Sequence, residues 1–146
     1  MGGALSQADR AEIGDVCPRL YDAVGLGGGK APDWATFRAC CHPKAMLVPM
    51  GSGAATPIPL EDFIAGMEQQ RTSGALASLE EREIARAVEG FGNLASVRST
   101  FVATIDGAER RGVTWALLVR ENGRWAIIAT AWENESDERP LPADLL

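Results

Sequence analysis

From Asn93 to Glu133 the hydrophobic and polar positions fall into three strand-length stretches, SVRSTFVATID, GVTWALLVRE and GRWAIIATAWE. Asp106-Gly107 and Asn122-Gly123 separate them. Such pairs between apolar runs are strong hairpin signals, because both residues tolerate the positive φ of a type I′ turn. In the first stretch Val97, Ser99, Phe101, Ala103 and Ile105 oppose Arg98, Thr100, Val102 and Thr104. In the second, Val113, Trp115, Leu117 and Val119 oppose Thr114, Ala116 and Leu118. In the third, Trp125, Ile127, Ala129 and Ala131 oppose Ala126, Ile128, Thr130 and Trp132. Both faces of the last two strands are largely apolar, whereas a half-solvated sheet is polar on one face. One face is therefore expected to pack on helices and the other on a second copy of the chain, as a homodimer through the sheet.

The residues before this sheet read mainly as its cover. Ile13, Val16, Cys17, Leu20 and Val24 form one apolar stripe at helical spacing, starting from Ser6 as cap, with a kink expected at Pro18. Gly25-Leu26-Gly27-Gly28-Gly29 ends that helix in a connecting loop. Asp33 caps a second, short helix that carries Trp34, Phe37 and Cys41 on one side and stops at His42-Pro43. KAMLVPM reads as a short strand, ended by Gly51-Ser52-Gly53. A third helix is expected from Thr56 to Arg71, with Pro59 in its first turn and Leu60, Phe63, Ile64 and Met67 on its apolar face. Leu79 to Glu89 reads as a strand with Ile84 and Val88 on one side, and Gly92-Asn93 as a bend or bulge.

At 146 residues the chain is one domain, 1–146, with loosely ordered ends at 1–5 and 134–146. Its net charge of −6 comes with no basic cluster, so neither a phosphate backbone nor an anionic membrane is an expected partner. No apolar run approaches the ~20 residues of a membrane span. MGGALSQADRAEI has no signal-peptide pattern, which points to the cytoplasm. Met1-Gly2 opens like a myristoylation signal, but no basic patch follows. Cys17, Cys40 and Cys41 are odd in number and include an adjacent pair, which suits buried thiols rather than disulfides; with His42 they lack zinc-site spacing. No metal and no cofactor is expected.

Three segments, DWATFRACCHPKAMLVPM, EREIARAVEGFGNLASVRSTF and GVTWALLVRENGRWAIIATAWENE, make the chain resemble the cone-shaped α+β superfamily. That group contains nuclear transport factor 2, ketosteroid isomerase, scytalone dehydratase and the SnoaL-related polyketide cyclases. The resemblance runs from about the first helix to Glu133 and is to bacterial members of that group. It implies N-terminal helices packed on a strongly curved, mostly antiparallel sheet around a cavity, with the back of the sheet forming a homodimer. The isomerase's carboxylates do not carry over: the corresponding stretches here are Val48, Pro49 and Met50, and Thr114, Trp115 and Ala116. Tyr21 resembles the family's phenol donor in placement. The closing strand carries Thr130 and Trp132, without the dehydratases' histidine.

The preferred expectation is a small, mostly apolar molecule held in the cavity by Tyr21, Trp34, Phe63, Trp115 and Trp132, with no reaction assigned. A second reading is an isomerase, dehydratase or cyclase acting on a polycyclic or steroid-like substrate. Tyr21 would then be the hydrogen-bond donor and Glu83 or His42 the base. Glu81, Glu83 and Glu89 would share one strand face as an acidic site, or pair with arginines at the surface. A third reading is a protein-interaction subunit of the kind found in multi-subunit oxygenases.

Overall fold

The computed structural model describes residues 3–51 and 53–146. Met1-Gly2, with its lipidation-like start, lies outside the described residues, as does Ser52 of the expected Gly51-Ser52-Gly53 stop. Among the described residues the elements are α1 (Gln7–Val24), α2 (Trp34–Ala39), β1 (Cys41–Pro49), β2 (Ile58–Pro59), α3 (Leu60–Ser73), β3 (Leu79–Phe91), β4 (Leu94–Ile105), β5 (Ala108–Glu121) and β6 (Arg124–Asn134). A last 3-10 turn spans Ala143–Leu145.

The strands form one sheet in the order β2-β1-β6-β5-β4-β3, antiparallel except where β1 meets β6. The fold is α+β, and the sheet is curved but unclosed, with β2 and β3 as its edges. The expected cone is therefore an open one. α1 packs along β3 and reaches β4, while α2 and α3 pack on β1. Ile13, Val16, Leu20, Phe37, Leu47, Ile64, Val97, Leu118 and Ile127 meet in the core between helices and sheet.

Local chemistry explains most of the element ends. Ser6 accepts the Asp9 N–H at 3.0 Å and caps α1, which continues as one helix past Pro18. Asp33 accepts the Thr36 N–H at 3.1 Å and caps α2. The hairpin residues Asp106 and Gly107 have φ of 48° and 85°, and Asn122 and Gly123 have 54° and 73°. Both pairs thus adopt the left-handed geometry that type I′ turns require.

Four expectations are corrected. The third helix begins at Leu60, not Thr56, because Ile58 and Pro59 pair with Leu47 and Met46 as an edge strand. β1 begins at Cys41 and takes in His42 and Pro43, with a bulge before Met46. Gly92-Asn93 is a hairpin turn, since Phe91 pairs with Leu94 across it. The faces of β3 and β6 each switch partway along the strand. On β3, Glu83 pairs with Phe101 and Ala85 with Thr100, so Ile84 is an extra residue. On β6, Leu117 pairs with Ala129 and Leu118 with Ile127, so Ile128 is extra. Each bulge reverses the alternation that follows it. Ile84 and Val88 therefore lie on opposite faces, and Trp125 and Trp132 on the same one.

Residues 134–146 run back along the outer face of the sheet. The Glu135 N–H donates to the Arg111 carbonyl at 2.8 Å, and the Glu135 carboxylate takes a bond from Arg111 Nε at 2.5 Å. The Thr100 hydroxyl donates to the Leu145 carbonyl. The tail's Leu141, Pro142 and Leu145 lie beside Val113 and Trp115.

Candidate functional site

The inner face of the curved sheet and the helices enclose a cavity of about 250 Å³. β4 contributes Phe101, Ala103 and Ile105, β5 Thr114, and β6 Thr130 and Trp132. α1 contributes Leu20, Tyr21 and Val24, and α3 Phe63, Met67 and Gln70. Exposed Gln70 and half-buried Met67, Trp132 and Asn134 mark the mouth; buried Leu20, Val24, Phe37 and Leu47 form the floor. The aromatic wall is continuous. Phe37 and Phe63 stack at 5.6 Å with an 8° angle between rings, and Phe63 meets Trp132 edge-on at 5.9 Å. Without the Ile128 bulge, Trp132 would point to the other side.

Tyr21 closes one end of this wall, its ring 5.8 Å from Phe101. Its hydroxyl is already engaged: it donates to Ser99 Oγ at 3.0 Å and lies 3.0 Å from Thr114 Oγ1. Ser99 donates to Glu83 Oε2 at 2.7 Å, and Arg86 Nε donates to Glu83 Oε1 at 2.7 Å. Each hydroxyl has one proton, so the chain runs in one direction, from Thr114 through Tyr21 and Ser99 to the Glu83 carboxylate. Burial raises the Tyr21 phenol well above its ordinary value, which keeps it a donor.

Glu81 stands apart. It lines the cavity beside Ala103, its partner across β3 and β4, and among the described residues it has no hydrogen-bond or ion-pair partner. Its side chain faces the cavity space, so it is only half-buried by surface area although apolar groups surround it. That surrounding pushes its carboxyl up to about 7, and no neighbouring charge contributes. The cavity is thus an apolar, aromatic-walled chamber with one unpartnered carboxyl.

Of the residues singled out in the sequence, Tyr21, Phe63 and Trp132 come together in the cavity wall. Trp34 lies behind it, edge-on to Phe37 at 5.2 Å. Trp115 is on the other face and 53% exposed, because the inward parity of β5 belongs to Thr114, Ala116 and Leu118. Glu83 is held by Ser99 and Arg86 and does not line the cavity. Glu89, exposed, follows the Ile84 bulge and faces outward, so it does not share a face with the other two glutamates. His42 is remote: its Nδ1 accepts the Lys44 N–H at 3.0 Å, and its Nε2 is 3.5 Å from Glu121.

Glu81 was grouped in sequence with Glu83 and Glu89. Its isolation leaves no mark in the sequence, because Arg86 reaches the face of Glu83 only through the extra residue Ile84. Among the described residues no three His, Cys, Asp or Glu side chains gather as a metal-ligand set, and no helix is long and apolar enough to cross a membrane.

No family model and no curated protein sequence matches the chain. Solved structures do match over nearly its whole length. A protein of unknown function with a cystatin-like fold from Nostoc punctiforme is 14% identical, with a TM-score of 0.72 over 92% of this chain and 96% of that one. An NTF2-like protein of unknown function from Pseudomonas putida is 15% identical, with a TM-score of 0.70 over 97% and 99%. A protein from Novosphingobium aromaticivorans, provisionally named an aromatic ring hydroxylase, is 19% identical, with a TM-score of 0.68 over 89% and 91%. At these identities the likeness is one of fold: the chain has the NTF2-like fold found in bacterial proteins of unknown function.

Proposed function

We propose that this protein binds a small, mostly apolar molecule in the cavity between its helices and the sheet's inner face. The observation that carries this reading is the aromatic-lined chamber itself, bounded by Tyr21, Phe63, Phe101 and Trp132. Binding sites are commonly concave, apolar and largely preformed, with a few polar groups that fix orientation. Here those groups are Thr114, Glu81 and, at the mouth, Gln70 and Asn134. At about 250 Å³ the chamber falls below the roughly 300–1,000 Å³ usual for drug-sized ligands. That size favours one or two rings over the four of a steroid.

A second reading, proton-transfer catalysis, draws support from Glu81 alone. An unpartnered carboxyl with a raised pKa in a cleft suits a general acid or base. Glu83 and His42 lack that placement.

Titration of isotope-labelled protein with indole tests the binding reading. Amide shifts concentrated at Ala103, Thr114 and Trp132 are expected; their absence, or scattered surface shifts, would overturn it. The exposed outer-face pair Trp115 and Leu117 supports a homodimer through the back of the sheet. Three free thiols fit work in the reducing cytoplasm.

A further inference from the structure

We infer that the cavity is selective for a lipophilic amine, whose ammonium group pairs with Glu81 while its apolar body lies against the aromatic wall. This rests on the cavity-binding reading above and names the class of ligand.

Three observations lead there. Glu81 lines the chamber, and among the described residues it has no hydrogen-bond or ion-pair partner and no cation close enough to influence it. A carboxyl enclosed by apolar groups without a partner is costly, and the cost falls most when a cation supplies both charge and donors. The lining residues include no Lys, Arg or His, and the other titratable group among them, Tyr21, stays protonated. The described lining therefore offers Glu81 no counter-ion. The third observation is the wall: Tyr21, Phe37, Phe63, Phe101 and Trp132 all border the space. The negative faces of aromatic rings attract cations.

An apolar ketone is the nearest competitor, since protonated Glu81 would donate a hydrogen bond to its carbonyl. Its apolar body meets the same wall, but its neutral head gains no cation–π attraction and leaves the carboxylate form unpaired, so the amine is the better match. An anionic ligand would meet the same rings and the same carboxyl as repulsion.

The test uses four probes of similar size: 2-phenylethylamine, 2-phenylethanol, acetophenone and phenylacetate. Each is titrated near neutral pH into isotope-labelled protein, and affinity is read from amide shifts of cavity residues. The amine is expected to bind at least tenfold more tightly than the alcohol or ketone, with phenylacetate weakest. Glu81→Gln should bring the amine down to the alcohol's level while leaving the alcohol unchanged. Equal binding of amine and alcohol, or a preference for acetophenone, overturns the inference and leaves the cavity reading standing. Failure of all four probes overturns both. If Glu81→Gln does not fold, the amine-to-alcohol ratio in the unmodified protein still decides.

Discussion

The hydroxyl of Tyr21 donates to the hydroxyl of Ser99 at 3.0 Å, joining α1 to β4 across 78 positions of the chain. Both residues are buried, and the bond belongs to a run that also includes Thr114 and Glu83. This accounts for the Tyr21 hydroxyl structurally, while its ring remains part of the cavity wall.

Tyr21→Phe should therefore destabilise the fold by about 1–3 kcal/mol, because it strands buried hydroxyls that lose a partner. The Tyr21→Phe and Ser99→Ala effects should not add, since both residues act in one network. Urea unfolding of the two single variants and the double variant measures this. Strict additivity would show that the two hydroxyls act independently and would contradict a shared network.

The pH dependence of stability should carry the signature of Glu81. Its carboxyl is raised from 4.5 to about 7 in the folded chain. Between those values the folded state holds a proton that the unfolded state has released. The stability this confers is fully present below about pH 4.5 and is lost as the pH rises through about 7, by at most about 3 kcal/mol. Glu81→Gln removes the effect, and the other carboxylates cancel in the comparison. The stability difference between variant and parent should thus move in the variant's favour from about pH 5 to about pH 8. A constant difference would contradict the placement of Glu81.

Thiol chemistry supplies a third prediction. Burial pushes the Cys17 and Cys41 thiols up to about 12 and raises Cys40 as well. Thiolate is the reactive form. A thiol reagent at neutral pH should find none of the three cysteines in the folded protein and all three after unfolding. Rapid labelling of the folded chain would show that the floor of the core opens readily.

On the outer face, Trp115 is 53% and Leu117 47% exposed. Trp115→Glu should leave the monomer folded, because about half of the side chain is exposed. It should also shift the sedimenting species from dimer to monomer. A parent protein that already sediments as a monomer at micromolar concentration would remove the sheet-back interface.

How much of this was written in the sequence depends on which physical signal each feature leaves. The Asp106-Gly107 and Asn122-Gly123 hairpins were legible because positive φ at two successive positions is a demand few residues meet. Ser6 and Asp33 were legible as caps for an equally local reason. The bulges at Ile84 and Ile128 were not, because an extra residue in a strand changes pairing without changing composition. That single kind of event accounts for Glu89 leaving the face of Glu81 and for Trp132 joining that of Trp125. Trp115 was misplaced for a different reason: on a strand apolar on both faces, alternation alone does not say which face turns inward. Glu81 was in view among the strand's acidic residues, but its isolation depends on the register that sets it opposite Ala103.

The most direct test of the central claim is native mass spectrometry of the protein mixed with indole, alongside an Ala103→Trp variant whose new ring would fill the chamber. Ala103 is buried and lines the cavity from β4. The account predicts one bound indole per chain in the parent protein and none in the variant. Equal binding by both, or none by either, would contradict it.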